Sequence, residues 1–246
     1  MTEPDRVGED QPHVLLPLLT TSAEQFLSTA RSLTARQTRA ASPLPGWTRA
    51  HVLVHLARGA DSRVRLLTAA RTGDDHPQYP DEESRARDIA TGALREPDVI
   101  RSDLTKSLHG LLKAIAAHPA AAWDVPVRWL GGGRRPVRGV LWSLLRELEV
   151  HHVDLAAGYT PADWPHAFVI RELNETVLRL QRDPSMPSAR IHVVDEGSTH
   201  STGDGAGPHV AGCAHDVLAW LTGRTDGSNL TTGRTDTVPT VPAWRR

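Results

Sequence analysis

Between residues 13 and 157, four stretches repeat apolar side chains at intervals of three and four, the period of one helix face. The first runs over 13–40 through Leu15, Leu18, Leu19, Phe26 and Leu33. The second, Arg49 to Arg71, carries Leu53, Ala57, Ala60, Val64 and Leu67. Leu104, Leu108, Leu111 and Ile115 mark the third, which His118-Pro119 stops. Leu141, Leu144, Leu148, His151 and Leu155 mark the fourth, over about 138–157, with Gly158 placed as its stop. SPLPGW (42–47) separates the first two, with Thr48 as N-cap of the next. Asp, Pro and Gly fill 72–98 around one short helix near 82–90. Each helix has a stripe to bury, and four of them bury their stripes against one another as a bundle.

Past PADWP (161–165) the pattern changes. A helix at 166–181 precedes the β-like run ARIHVV (189–194), a Gly/Ser/Thr-rich turn region and a second strand in GPHVAG (207–212). Ala214–Leu221 reads as a helix and the tail as loose. TGRTD occurs at 222–226 and again at 232–236, too short to make a repeat architecture. The expected fold is mainly α: a four-helix bundle over 1–165 followed by a small α+β domain over 166–246.

Composition narrows the function. With Lys+Arg at 28 and Asp+Glu at 29 the formal net charge is -1, which argues against nucleic acid or an anionic membrane as partner. No apolar run approaches the ~18 residues of a membrane span. The acidic start MTEPDRVGEDQP is unlike a signal peptide, and a single cysteine, Cys213, allows no internal disulfide. The expected location is therefore the cytoplasm.

The informative residues interrupt apolar faces. On the fourth helix Val140, Leu144, Glu147, His151 and Asp154 form one stripe, so Glu147 and His151 point the same way one turn apart. On the second, His51 and His55 are also one turn apart inside HVLVHLA. A carboxylate buried beside imidazoles is costly unless paired. A divalent cation shared by Glu147, His151 and one histidine of the second helix satisfies all three. Two imidazoles and a carboxylate suit Zn²⁺ with an open position. The competing reading is hydrogen-bonded core histidines with Glu147 paired to Arg146 or to an arginine of another helix. A di-iron bundle fits less well, because the spacing is Glu-x-x-x-His and inner carboxylates are scarce. One cysteine excludes zinc-finger and thioredoxin-like sites.

At these residues the chain resembles the mycothiol-dependent maleylpyruvate isomerase family. The likeness rests on LPGWTRAHVLVHLARGAD (44–61), TGDDHPQYP (72–80), RELEVHHVDLAAGYTPADWP (146–165) and HDVLAWLTGR (215–224), in the family's order. GWTRAHVLVHLA and EVHHVDLAAGY are its most specific pieces. The resemblance implies a DinB-like bundle that binds a divalent metal, usually zinc, through His55, Glu147 and His151, and so selects His55 over His51. It also implies an arginine from the C-terminal domain at the active site, best matched by Arg224, with Arg234 of the second TGR as a rival.

The implied reaction is isomerisation of maleylpyruvate to fumarylpyruvate, with the low-molecular-weight thiol mycothiol as cofactor. Thiolate addition to the conjugated double bond, rotation and elimination would accomplish it. Metal coordination favours the thiolate, and a guanidinium such as Arg224 would meet the negative charge and grip a carboxylate. Two alternatives share the site: a mycothiol S-transferase that conjugates an electrophile, and a non-catalytic metal- or thiol-sensing regulator. Cys213 is not needed for the chemistry and reads as a small residue before a helix. His152 and Asp154 are candidates to support the ligands from behind or to lie on the helix surface. RWLGGGRRPVRG (128–139) lacks the end of a phosphate-binding loop and reads as a solvated loop or one that grips an anionic substrate. Tyr79 and Arg87 are candidates to lie near the pocket.

Overall fold

A computed structural model describes residues 11–233 and 237–242. The chain divides into two compact units, residues 1–157 and 158–246. The first contains helices α1 (Pro12–Ser32), α2 (Ala35–Arg39), α3 (Arg49–Thr72), α4 (Glu82–Gly92), α5 (Pro97–Ala116) and α6 (Gly139–Asp154). A hairpin of β1 (Pro126–Arg128) and β2 (Arg134–Pro136) precedes α6.

The four long helices are those the periodicity predicts. Helix α1 packs on α5 and α6, and α3 packs on the same two, which closes a four-sided bundle in the order α1–α5–α3–α6. Leu19, Leu53, Leu104, Leu108, Leu111 and Leu145 are fully enclosed in its core. Truncating any one of these leucines to alanine should cost about 2–5 kcal/mol. Polar ties fix the helix pairs at the edges of that core. Arg58 of α3 contacts both carboxylate oxygens of Asp103 on α5 at 2.7 Å, and Arg95 reaches the same group at 2.6 Å. Ser22 of α1 donates to Glu149 of α6 at 2.5 Å, and Thr29 lies 2.7 Å from His152 Nε2.

Three local features differ from the expected pattern. The helix anticipated over 13–40 breaks at Leu33. Thr34 and Gln37 there form a reciprocal cap that starts α2: Gln37 N–H donates to Thr34 Oγ1 at 3.2 Å and Thr34 N–H to Gln37 Oε1 at 2.9 Å. Helix α6 ends at Asp154 rather than at Gly158, because the chain turns at Ala156, which has φ 45°. Arg49 donates to the carbonyls of Leu155 and Ala156, placing a cation on the exposed acceptors of that helix end. The Gly/Arg-rich stretch is the β1–β2 hairpin.

In the second unit, α7 (His166–Leu180) and α8 (Ala214–Leu221) accompany a sheet of β3 (Ala189–Val193), β4 (Ser198–Thr202), β5 (His209–Gly212) and β6 (Thr231–Thr232). Strand order is β4-β3-β5-β6, with β3 and β5 parallel and the other pairs antiparallel. Ala189, Ile191 and Val193 alternate inward along β3 and are fully buried. Strand β4, STHST, lies in the region expected to be turn. It has no apolar residue to announce it, and its pairing with β3 defines it (Ile191 opposite His200). The turn Pro161–Asp163 packs on α8, so the segment 158–165 groups with this unit. No helix among the described residues is long and apolar enough to cross a membrane.

Burial pushes the Asp103 carboxyl up, but its hydrogen bond from Arg95 and the Arg58 charge outweigh this and hold it below the usual carboxylate range. Its folded-state pKa is therefore depressed. The stabilisation should be complete above the unfolded value of about 4 and lost as pH falls through the lower folded value. Urea melts between pH 2 and 6 should show a steeper acid loss for the native protein than for Asp103→Asn.

Candidate metal centre

The site is built by α3 and α6 facing each other across the bundle. The segment Gly46-Trp47-Thr48-Arg49 leads into helix α3, and Trp47 packs against His55 with ring centroids 5.5 Å apart. Thr48 is the N-cap, and its N–H donates to His51 Nδ1 at 3.2 Å. Burial pushes the His51 pKa down, which keeps the ring neutral and able to accept. His51 is thus spent on capping, and Trp47 stacks on it with ring centroids 6.0 Å apart. One turn further on, His55 enters the core at 3% exposure.

His55 Nε2 lies 2.9 Å from Glu147 Oε2, and His151 Nε2 lies 3.4 Å from the same oxygen. The two rings meet edge to face at 4.7 Å. One ligand atom from each of His55, Glu147 and His151 falls within 4.8 Å of the others, and all three residues are buried. Two imidazole nitrogens and one carboxylate oxygen are the donor set that Zn²⁺ takes. Separations of 2.9 and 3.4 Å suit atoms that share one ion at about 2 Å each. The residues present therefore fit a divalent cation. Behind the histidine of α6, Asp154 Oδ2 lies 2.7 Å from His151 Nδ1, with the carboxylate 2% exposed. That contact orients the ring with Nε2 toward Glu147.

Two arginines complete the environment, and neither stood out in the sequence. Arg63, 3% exposed, donates to Glu147 Oε1 at 3.2 Å, to Ser143 Oγ at 2.6 Å and to the Gly59 carbonyl at 3.0 Å. Its guanidinium lies along α3 over Gly59, where a Cβ would come within 3.0 Å of Nη1. The signal was present as His55, Gly59 and Arg63 at successive four-residue steps, one face of α3. The alternative pairing of Glu147 with an arginine of another helix is thus real, and it coexists with the cluster. The second, Arg85 of α4, has Nη2 3.1 Å from His55 Nδ1. It lies two residues before Arg87, which the sequence had singled out. Arg87 is instead engaged on the surface of α4, with Glu83 at 2.6 Å and Ser84 at 3.0 Å.

The other candidates fall as follows. Tyr79 is buried, with the guanidinium carbons of Arg65 and Arg85 at 5.4 and 5.8 Å from its ring centre. His152 points to α1, between Thr29 and Phe26. The hairpin arginines are engaged within their own unit. Arg128 and Arg134 pair with Asp75 at 3.2 and 2.8 Å, Arg135 covers Trp129 at 4.8 Å and Arg138 pairs with Asp124. That arrangement does not favour a loop that grips an anion. Arg224 follows α8 in the second unit and donates to the Thr222 carbonyl at 2.6 Å. Arg234 lies outside the described residues. Cys213 is the N-cap residue of α8, half-buried, and burial with Asp195 and Asp216 nearby raises its thiol pKa, so it is a poor nucleophile.

With this geometry in hand, comparison with known proteins is informative. The model of the mycothiol maleylpyruvate isomerase N-terminal domain matches residues 19–156. The chain belongs to that family. Two similar solved structures are crystal structures of the mycothiol-dependent maleylpyruvate isomerase, one of them a histidine-to-alanine mutant. They share 25% and, for the mutant, 24% sequence identity with the chain. Each superposes with a TM-score of 0.89 over 95% of this chain and 97% of the other. No curated protein sequence gives a significant match. The maleylpyruvate isomerase fold thus extends over both units of the chain.

Arg63→Met should leave the buried Glu147 carboxylate without its cation. In protein stripped of metal this should cost ~2–3 kcal/mol in a urea titration. An unchanged midpoint would mean that Arg63 contributes nothing to holding Glu147.

Proposed function

We propose that the chain is a mycothiol-dependent, metal-assisted isomerase that converts maleylpyruvate to fumarylpyruvate. The convergence of His55, Glu147 and His151 in a buried cluster, in a member of this family, carries the reading. His55, Glu147 and His151 would hold a divalent cation, most suitably Zn²⁺, whose Lewis acidity would favour the thiolate of mycothiol, and reversible thiolate addition to the cis double bond is the chemistry that would permit rotation.

The chain's own groups have separable tasks in this scheme. Glu147 supplies the negative charge of the ligand set, and Arg63 holds its other oxygen so that Oε2 faces the histidines. Asp154 keeps the His151 proton on Nδ1 and leaves Nε2 as the donor atom. Burial of the cluster in the bundle excludes bulk water and strengthens every charge interaction within it. Arg224 is assigned the binding of a substrate carboxylate and of the negative charge that develops during addition.

The test is spectrophotometric: loss of maleylpyruvate with zinc-loaded protein, with and without mycothiol. Thiol-dependent formation of fumarylpyruvate with the thiol unconsumed supports the isomerase. His55→Ala should abolish both zinc binding and turnover, and chelation should stop turnover until zinc is restored. Arg224→Ala should retain zinc and lose about 10²–10³-fold in kcat/KM. If bound zinc and mycothiol give no conversion, the isomerase reading fails, and consumption of thiol with another electrophile would mark an S-transferase instead.

A further inference from the structure

A guanidinium carries a fixed positive charge and five N–H donors, and the arginines of α3 near the cluster engage theirs within the chain. Arg63 meets Glu147, Ser143 and Gly59. Arg65 donates twice to the Gln78 carbonyl, at 3.1 and 2.9 Å. Arg85 of α4 differs. Its side chain makes one hydrogen bond, from Nη2 to His55 Nδ1 at 3.1 Å, and no carboxylate among the described residues pairs with it. The residue is half-buried, and its Nε and Nη1 remain open to solvent. One of the cations beside the cluster therefore keeps most of its donors and its whole charge uncompensated.

The fold holds this cation in place by means that do not neutralise it. The buried ring of Tyr79 lies 5.8 Å from its guanidinium carbon, and the Arg65 carbon lies 5.4 Å from the same ring. Helix α4 is fixed by Asp81 accepting from Ser84 N–H and by Gly92, whose missing Cβ leaves room for Val54 of α3. A planar guanidinium placed in this way is suited to a carboxylate, which offers two acceptor oxygens and the missing negative charge. Maleylpyruvate carries two carboxyl groups, both ionised at neutral pH. Arg224 is assigned one of them, and the other calls for a second cation.

We propose that Arg85 is a substrate-binding residue that takes one carboxylate of a dicarboxylate substrate beside the cluster. The proposal deepens the isomerase reading and rests on it. It assigns Arg85 no part in holding a cation, and because the guanidinium charge is fixed it needs no change of protonation. The neighbouring Arg87 provides the contrast on the same helix: its guanidinium already meets Glu83 at 2.6 Å and Ser84 at 3.0 Å on the surface.

The experiment is isothermal titration calorimetry of the zinc-loaded full-length chain with fumarylpyruvate, the reaction product, in the absence of mycothiol. Arg85→Gln should bind it about 10–100-fold more weakly than the native chain. Arg85→Lys keeps the charge without the planar donors and should fall between the two. Arg87→Gln should match the native chain. In turnover assays Arg85→Gln should raise KM for maleylpyruvate and leave KM for mycothiol unchanged. Zinc content and thermal melts of each variant check the cluster and the fold, and Arg85→Lys carries the test if Arg85→Gln does not fold. Native affinity in the folded Arg85 variants overturns the assignment. Equal weakening by Arg87→Gln also overturns it, because the effect would then be one of long-range charge. So does a lower zinc content in Arg85→Gln at saturating zinc, which would make Arg85 a support of the cluster. A native chain that binds neither zinc nor fumarylpyruvate defeats the isomerase reading and this assignment together. That result is distinct from a native chain that binds both while the Arg85 variants match it, which removes Arg85 alone.

Discussion

The carboxylate of Glu147 is the group that the first unit is arranged to accommodate. It comes from α6 and meets α3 twice, through His55 at 2.9 Å and Arg63 at 3.2 Å, at a point where water is nearly excluded. An ionised carboxylate in such a place costs several kcal/mol unless its lone pairs are engaged. The α3–α6 register follows from that demand. Gly59 lets the Arg63 guanidinium lie along its own helix, and Ser143 takes another of its N–H groups.

Helix α6 carries charged and polar groups on two sides, and the sides do different jobs. Glu147, His151 and Asp154 serve the cluster shared with α3. Glu149 and His152 are just as buried but pair with Ser22 and Thr29 of α1. These contacts fix the rotation of α6 in the bundle. A leucine interface tolerates some rotation, whereas a buried carboxylate that meets one serine hydroxyl does not. The precise placement of the buried cluster is thus supplied partly by polar pairs on the other side of the helix.

The same economy explains the conspicuous GWTRAH segment. Trp47 packs against His51 and His55, Thr48 and His51 cap α3, and Arg49 closes the end of α6 at Leu155 and Ala156. Its task is to start α3 in the correct phase beside the end of α6, so that His55 arrives opposite Glu147. A stretch that carries much of the family resemblance in sequence serves largely to start and place α3.

The sequence by itself determined the four long helices, the inward stripe of Glu147, His151 and Asp154, and the run of alternating residues that became β3. Those are periodic signals, written within one element by the spacing of apolar and polar residues. It did not determine which partners reach that stripe. Arg63 and Arg85 looked like ordinary helix arginines, because their role depends on a glycine one turn away and on the docking of α4. Strand β4 is almost wholly polar and exists through its pairing with β3, and the hairpin arginines find Asp75 across a fold that no local pattern encodes. Spacing set His151 on the stripe of Glu147 but left the partner of His152 open. Both are buried on one helix: the four-residue spacing turns His151 toward Glu147, and the packing of α1 gives His152 its partner in Thr29. Periodicity is a property of the chain, whereas the meeting of charges from different helices is a property of the packed bundle.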